Sequence, residues 1–198
     1  LNAEQFVILA ASLSVLVGSF VLAGHGLDID WLKGILQGWI PMKPNTSFCF
    51  VLFGIALSLS LASLTSPGPA PDRRLTRPAV FIGLLPALIG LLTLGEYVFA
   101  WQPGIDTLLI DRAADLESSA NAYRMAPETA ICFVLLASAL TLINLVQDSL
   151  KSVMTSALCC MMVMALAASS LGTYFSPVLG VFGWTGLTVM AGDTAILF

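Results

Sequence analysis

The chain has 198 residues, of which 58% are hydrophobic and 10% are charged; its net charge is −4 and its mean hydropathy is +0.93. Soluble domains typically carry about 25% charged residues, so this composition excludes an ordinary soluble globular domain. The sequence has no basic patch interleaved with aromatic residues, and we therefore expect no nucleic-acid partner. It predicts an all-α integral membrane protein that lies in the lipid bilayer.

Apolar runs long enough to cross a bilayer, which takes roughly 17–25 residues, recur along the chain. They predict one transmembrane domain, 1–198, made of six helices in three hairpins. The sixth helix is cut short, and we expect the chain to be part of a longer protein. A Pro-rich linker is expected at 66–78, a kink at Pro86, and a short surface helix around 111–119. The predicted hairpins are 5–65, 79–147 and 153–198, with spans at about 5–24, 45–65, 79–101, 127–146, 153–175 and from 192 onward.

One ten-residue pattern occurs three times, at 41–50, 124–133 and 189–198. Each copy reads Met, one residue, Pro or Gly, a polar residue and Thr, followed by an apolar run. Proline suits the first turn of a helix because its missing N–H would have no partner there, and Asn, Asp and Thr oxygens can accept the free N–H groups of that turn. The pattern therefore predicts the water-facing start of an apolar helix. Its recurring residues are Met42, Met125, Met190, Thr46, Thr129 and Thr194.

A shorter marker, Gly followed by any residue and an aromatic residue, precedes each copy at 18–20, 95–97 and 172–174. Two markers in the same order, three times, predict three copies of one hairpin. The copies share one orientation, so we predict parallel repeats around an axis along the membrane normal. The threonines and helix N-termini would then converge on one outer cavity, where N-termini favour anionic groups. Capping alone is the other role open to each threonine.

Lysine and arginine predict the orientation, because short cytoplasmic loops are enriched in them. They are concentrated in two short connections on one side and mixed with many acidic residues in three longer loops on the other. The first side is therefore predicted to be cytoplasmic, together with the N-terminus. The cytoplasmic group is Arg73, Arg74, Arg77 and Lys151, and the outer group is Lys33, Lys43, Arg112 and Arg124. The tryptophans predicted to form an aromatic belt on the outer side are Trp31, Trp39, Trp101 and Trp184.

Glu96 lies in the third predicted span, about one turn from its outer end and beside Tyr97. An ionisable residue at membrane depth is costly unless it faces a partner, the bundle interior or water. It is therefore a candidate for ligand or proton sensing, and its other role is to hold a neighbouring helix start by a hydrogen bond. Tyr97, Tyr174 and Trp101 are candidate ligand contacts in the same region.

His25, the single histidine, closes the first predicted span. With the sulfur atoms of Met42, Met125 or Met190 it could form a soft metal site, whereas the methionines could equally fill gaps between helix ends. One histidine cannot supply a bis-histidine haem site. The cysteines all lie in apolar runs and are predicted to be inert buried thiols; they are Cys49, Cys132, Cys159 and Cys160.

Asp30 and Asp106 occupy matching Ile-Asp-x-Leu contexts and are predicted to N-cap short surface helices. The sequence contains no Ser-His-Asp or Cys-His arrangement, no phosphate-binding Gly-rich loop and no paired carboxylate motif. We therefore expect no enzymatic activity in this segment.

Three stretches resemble the membrane-embedded N-terminal sensor region of bacterial multi-domain signalling proteins. They are Leu-Gly-Glu-Tyr-Val-Phe at 94–99, Pro-Gly-Ile-Asp-Thr-Leu-Leu at 103–109, and the whole pattern at 124–133, and the similarity is best over 84–142. Such proteins are histidine kinases and diguanylate cyclases, often with PAS domains. Glu128 stands where Asn is commoner in these sequences, while Asn45 keeps that type.

The resemblance implies a sensor domain in the bacterial inner membrane that acts as a homodimer and relays a signal to a cytoplasmic kinase or cyclase. The candidate ligand is a small or lipid-like molecule, for instance a quinone, held among Glu96, Tyr97, Tyr174 and the three threonines. No cofactor is required by the sequence. The alternatives are a small transporter or channel, and a membrane protein that binds haem, quinone or a metal.

Overall fold

All regular structure in the described part of the chain is helical. The computed structural model describes residues 2–34, 40–68, 71–101, 104–105, 124–146, 149–175 and 189–198. Five of its helices are long and apolar enough to cross a membrane, namely α1, α3, α4, α5 and α6 as bounded below. The prediction of an all-α, multi-pass membrane protein is therefore confirmed at this level. The helices are α1 Ala3–Leu27, α2 Asp30–Lys33, α3 Pro44–Leu64, α4 Arg73–Phe99, α5 Pro127–Leu145, α6 Leu150–Phe175 and α7 Gly192–Leu197.

The repeated pattern does mark helix starts, but its polar residues are not the N-caps. Helices α3 and α5 begin at Pro44 and Pro127, and α7 begins at Gly192. The N-caps are the residues just before them, and at these three described starts no N-cap side chain makes a capping hydrogen bond. Thr46, Thr129 and Thr194 are each the third residue of their helix, inside the first turn. The N-caps are thus Lys43, Ala126 and Ala191, and the polar residues of the pattern follow them inside the helix.

Helix α4 begins earlier than predicted, at Arg73, within the segment 66–78 that was expected to be a linker. The Asp72 side chain accepts a hydrogen bond of 2.9 Å from the Arg74 N–H and so caps the helix. Pro78 and Pro86 both lie inside α4. The Asp72 cap, six residues before Pro78, thus starts α4, and the helix continues through that proline.

Asp30 is the first residue of α2 rather than its N-cap, which is Ile29. Its carboxylate accepts a hydrogen bond from Lys33 Nζ at 2.6 Å, and Asp28 accepts another at 2.8 Å. These two hydrogen bonds, Asp28 first, raise the pKa of Lys33 above its ordinary value. Outside the described residues lie Trp39, Asp106, Arg112, Trp184 and the surface helix predicted at 111–119.

The long helices alternate in direction and are packed in chain order, α1 on α3, α3 on α4, α4 on α5 and α5 on α6. Helix α7 packs on α6 and also touches α1, so it closes the arrangement into a ring. We call the end where α3, α5 and α7 begin the upper end, and the opposite end the lower end. Helices α3 and α5 also touch each other inside the ring.

Three hydrogen bonds of one kind join the helices at the upper end, and we call them clasps. In each, a ring group near the end of an ascending helix bonds the carbonyl oxygen of a methionine two residues before the next descending helix. The Tyr97 hydroxyl donates to Met125 O at 3.1 Å, and the Tyr174 hydroxyl donates to Met190 O at 2.9 Å. His25 Nε2 lies 2.9 Å from Met42 O.

The clasps correct the predicted register of the first hairpin. The residue equivalent to Tyr97 and Tyr174 is His25, not the aromatic residue of the 18–20 marker, because Phe20 is 59% exposed on the outside of α1. A histidine ring can make the same main-chain hydrogen bond as a phenol, which a search for an aromatic marker overlooks.

Close packing between ascending and descending helices follows the same register. A methyl group added to Gly18 would lie 2.6 Å from Ser47 O, and one added to Gly90 would lie 2.7 Å from Ala130 O. Both glycines stand seven residues before the ring residue of their clasp. Glycine therefore allows these two helix pairs to approach closely, as small residues do in membrane bundles.

Three phenylalanines fill the centre of the ring. The ring centroids of Phe50 and Phe133 are 5.1 Å apart, those of Phe50 and Phe198 are 5.0 Å apart, and those of Phe133 and Phe198 are 5.2 Å apart. These separations lie in the range that aromatic pairs prefer. Each phenylalanine stands eight residues after the methionine of its clasp, so equivalent positions of α3, α5 and α7 meet at one axis.

Hydrogen bonds also tie the helices together at the lower end. Ser63 and Thr76 hydroxyls lie 2.7 Å apart and join α3 to α4. Asn144 Nδ2 donates to Ser60 Oγ at 2.7 Å and joins α5 to α3. Ser152 Oγ donates to Leu142 O at 3.0 Å and joins α6 to α5. The described bundle is thus linked by polar contacts at both ends.

Replacing Gly90 with alanine should destabilise the bundle, because the new methyl group must push Ala130 away. We expect Gly90→Ala to lower the free energy of unfolding by about 1–3 kcal/mol. Gly95→Ala is the matched control in the same helix, because nothing lies within 4 Å of the added methyl group. Thermal unfolding in detergent measures both, and the close approach of α4 and α5 is refuted if Gly90→Ala unfolds no lower than Gly95→Ala.

Candidate functional site

A buried ion pair lies at the upper end of the second hairpin. Arg124 Nε is 3.3 Å from Glu96 Oε2, and the two side chains are 10% and 1% exposed. The Arg124 guanidinium carbon also lies 5.2 Å from the centre of the Tyr97 ring, within the distance of a cation–π contact. Glu96 is therefore inside the bundle, and its charge is compensated by Arg124.

The ion pair distinguishes the second hairpin from the other two. Glu96 comes immediately before the ring residue of its clasp, where the other hairpins have Gly24 and Thr173. Arg124 comes immediately before the methionine of its clasp, where they have Pro41 and Val189. One shared frame thus carries an acid–base pair in one copy and uncharged residues in the equivalent positions of the others.

The threonines of the pattern are buried at the axis. Thr46, Thr129 and Thr194 are each at most 2% exposed. Each stands four residues before a phenylalanine of the central triangle, and residues four apart lie on the same face of a helix. The three threonines therefore lie about one turn above the triangle, on the sides of α3, α5 and α7 that face the axis.

The second residue of each descending helix contacts the next hairpin in the ring. Asn45 Nδ2 donates to Ile105 O at 3.1 Å, in the segment after α4. Glu128 Oε2 accepts a hydrogen bond of 2.7 Å from Ser170 Oγ of α6. A methyl group added to Gly34, after α2, would lie 3.4 Å from Asp193 Oδ2 of α7. Polar side chains thus join the first hairpin to the second and the second to the third, and Asp193 of the third lies close to Gly34 of the first.

The remaining candidates have other places in the fold. The ring nitrogen of His25 and the hydroxyls of Tyr97 and Tyr174 each form a clasp hydrogen bond, so each of these residues has a structural role. Trp101 is 55% exposed and points away from the buried layer. Trp31, at 71%, is likewise on the outside of the described bundle.

The methionines of the weaker metal hypothesis are core residues. Met42, Met125 and Met190 are all 0% exposed, and Met42 and Met125 share a hydrophobic cluster with Phe50 and Phe133. Among the described residues no group of three or more His, Cys, Asp or Glu side chains could hold a metal ion. The prediction that all four cysteines are buried is wrong for one of them, since Cys160 is exposed on the outer face of α6.

Several residues of the buried layer were not singled out as candidates by the sequence. Arg124 is the first residue of the second copy of the pattern and one of the predicted outer-loop cations, and the sequence alone does not pair it with Glu96. Thr93 and Ser170 have no sequence signal of their own, yet they are 0% and 2% exposed; Asp193, the polar residue of the third copy of the pattern, is 1% exposed. The burial of these side chains depends on which faces of different helices pack together, and a single sequence does not specify that.

Removing one partner of the ion pair should destabilise the protein more than removing both. We expect Glu96→Met and Arg124→Met each to lower the free energy of unfolding by about 3–5 kcal/mol, because each leaves a buried charge uncompensated. The double variant should recover most of that loss, because it leaves two apolar side chains. A double-mutant cycle by thermal unfolding tests this, and strictly additive losses would show that the two charges do not interact.

The upper end therefore combines a buried ion pair, three buried threonines at an axis, and polar contacts between hairpins, in a bundle whose spans are otherwise mostly apolar. These groups can bind and orient a polar group. Comparison with protein-family models, with curated proteins and with solved structures finds no match to the chain.

Proposed function

We propose that the chain is a transmembrane signal-input domain that detects a small or lipid-like ligand at its upper end. The observation that carries this proposal is the layer of buried polar and charged side chains around Glu96 and Arg124. A polar group inside a membrane bundle is costly and is characteristic of functional sites. Asp193 and Thr194 at the start of α7 are buried at the same end of the bundle, so a ligand that binds there can change the position of that helix.

The proposal includes three parallel hairpin repeats and six spans. The three clasps, the phenylalanine triangle and the equivalent glycine contacts support a common hairpin unit arranged around one axis. Helix α7 enters the ring between α1 and α6, and a helix that continued from it would be the sixth span. Its continuation would carry the signal to the lower end.

We further propose that the upper end faces the periplasm and the N-terminus faces the cytoplasm of a bacterial inner membrane. The support is the set of exposed cations at the lower end, since cytoplasmic loops are rich in Lys and Arg. Acidic residues accompany the cations of the upper end, among them Asp28 and Asp30 beside Lys33. The exposed cations at the lower end are Arg73, Arg74, Arg77 and Lys151.

The output in this proposal is a cytoplasmic histidine kinase or diguanylate cyclase in a homodimer. A ligand shifts the balance between two positions of α7 only by the difference in its affinity for them. About 1.4 kcal/mol of that difference changes the ratio of the two states tenfold, which is within reach of one or two buried hydrogen bonds. The polar layer is suited to supply such a difference.

The alternative to a receptor is a small transporter or channel. The phenylalanine triangle occupies the axis one turn below Thr46, Thr129 and Thr194, and it weighs against a pore along that line. Solute flux into vesicles that contain the purified protein would decide for transport and against the proposed receptor.

Changes in the polar layer should alter output while changes elsewhere do not. The test adds to Phe198 an apolar helical segment long enough to complete the sixth span, followed in helical phase by a dimeric kinase core, and measures autophosphorylation in lipid nanodiscs. We expect Thr129→Val and Glu96→Gln to change the basal activity at least threefold, because both change a buried polar group of the upper end while keeping side-chain size. Gln also keeps an oxygen that can accept from Arg124.

Matched controls make the same substitutions at exposed lower-end sites. They are Thr65→Val and Glu4→Gln, since both residues are exposed there, and their activity should equal that of the parent. Each variant must also unfold in one transition, as the parent does. Output that is equal in all five proteins would refute the receptor proposal.

A further inference from the structure

The second and third hairpins are joined at the upper end by a hydrogen bond between α6 and α5. Here Ser170 Oγ of α6 donates to Glu128 Oε2 at 2.7 Å. Ser170 stands four residues before the clasp tyrosine Tyr174, and Glu128 stands three residues after the clasp methionine Met125. A buried hydroxyl of one hairpin thus meets a carboxylate in the first turn of a descending helix of the preceding hairpin.

The contact between the first and second hairpins has the same frame but different residues. Thr93 of α4 stands four residues before Tyr97, and Asn45 of α3 stands three residues after Met42. Thr93 is therefore equivalent to Ser170, and Asn45 is equivalent to Glu128. Thr93 is 0% exposed and Asn45 is 2% exposed, so both lie inside the bundle.

The hydroxyl of Ser170 has a hydrogen-bond acceptor, and the hydroxyl of Thr93 has none among the described residues. Within the described part of the chain Thr93 Oγ1 is buried and makes no hydrogen bond. The Asn45 amide, which stands in place of the carboxylate, donates to Ile105 O instead. A buried hydroxyl without a partner costs free energy comparable to a lost hydrogen bond, so this position calls for an acceptor from outside the chain.

We propose that the contact between α3 and α4 at the upper end binds the carboxylate of an external carboxylic acid. The guest carboxylate takes the place that Glu128 fills between α5 and α6, and it accepts a hydrogen bond from Thr93 Oγ1. This deepens the proposed receptor function, because it names the chemical class of the ligand and the pair of helices that holds it.

The charges around this position suit an anion. Helix α3 has 21 residues, and its N-terminus carries the positive end of a helix dipole, which favours an anion. Lys43 immediately precedes this helix. Glu96, one turn after Thr93 on α4, carries a negative charge, but Arg124 lies 3.3 Å from it and compensates it.

Such a carboxylate could come from the water or from the bilayer, and two probes distinguish these sources. Sodium acetate represents a small soluble carboxylate, and palmitate represents a fatty acid that arrives through lipid. Methyl acetate and methyl palmitate are the controls, because each ester lacks the negative charge. The protein is held in lipid nanodiscs of uncharged lipid.

Binding is measured as a rise in the unfolding temperature. A thiol-reactive dye reports unfolding, since Cys49 and Cys132 are 0% exposed in the folded chain, and exposed Cys160 is blocked beforehand. We expect at least one of the two acids to raise the unfolding temperature by about 3 °C or more at ten times its dissociation constant, and its ester to have no effect.

Two variants should abolish the response to the acid. Thr93→Val removes the donor hydroxyl at nearly constant volume. Asn45→Glu supplies the carboxylate from the chain, as Glu128 does in the next contact, and should leave no place for an added acid although it removes the hydrogen bond to Ile105 O. Ser170→Ala is the control: it lowers the basal stability by removing the equivalent hydrogen bond, and it keeps the full response.

The proposal is overturned if neither acid shifts the unfolding temperature, if an ester acts as well as its acid, or if Thr93→Val responds like the parent. Should Asn45→Glu fail to fold, Thr93→Val and the esters still decide the matter. Because binding is read on the chain alone, loss of binding is distinguishable from loss of kinase output. A chain that binds the acid but never alters an attached kinase would refute the receptor function and keep the site.

Discussion

The clasp hydrogen bond is the interaction on which the rest of this bundle depends. In lipid, apolar burial does little to hold helices together, and close packing and hydrogen bonds have to do so. Each clasp ties the end of an ascending helix to the carbonyl just before the next descending helix, so it sets the height at which the two helices meet. With that height set, Gly18 and Gly90 reach the opposing main chain, and Phe50 and Phe133 meet Phe198 at the axis.

Three clasps and three phenylalanines recur at the same spacing, so the differences between the proposed copies are informative. The clasps, the glycine contacts and the phenylalanines serve packing in every hairpin that carries them. Other positions differ between the copies: Glu96 and Arg124 are charged in the second hairpin, and the other hairpins have uncharged residues there. Packing of the hairpin therefore does not require these two charges. The proposed site beside Thr93 follows from the same comparison, since Ser170 and Glu128 show what that position contains when the chain supplies both partners.

The two ends of the bundle have different roles in this view. At the lower end, the Ser63–Thr76 and Asn144–Ser60 hydrogen bonds join helices through uncharged groups. At the upper end the contacts involve an ion pair and buried acids, whose strength depends strongly on what is bound nearby. In the proposed receptor, a ligand at the upper end would act where the ring closes through α7, while the hydrogen bonds at the lower end join the long helices.

The sequence by itself determined the membrane character, four of the five long helices within a few residues, and the helix starts at Pro44, Pro127 and Gly192. These follow from local chemistry: apolar length, and a first turn that accepts proline or glycine. Sequence also pointed to Glu96, because an acid in an apolar run is conspicuous. Only the tertiary structure decided that His25 forms a clasp as the two tyrosines do, and that Arg124 is the ion-pair partner of Glu96. It also decided that the Thr93 hydroxyl is buried without a hydrogen-bond partner among the described residues. Those facts depend on which faces of distant helices meet, and contacts of that kind leave no periodic trace in a single chain.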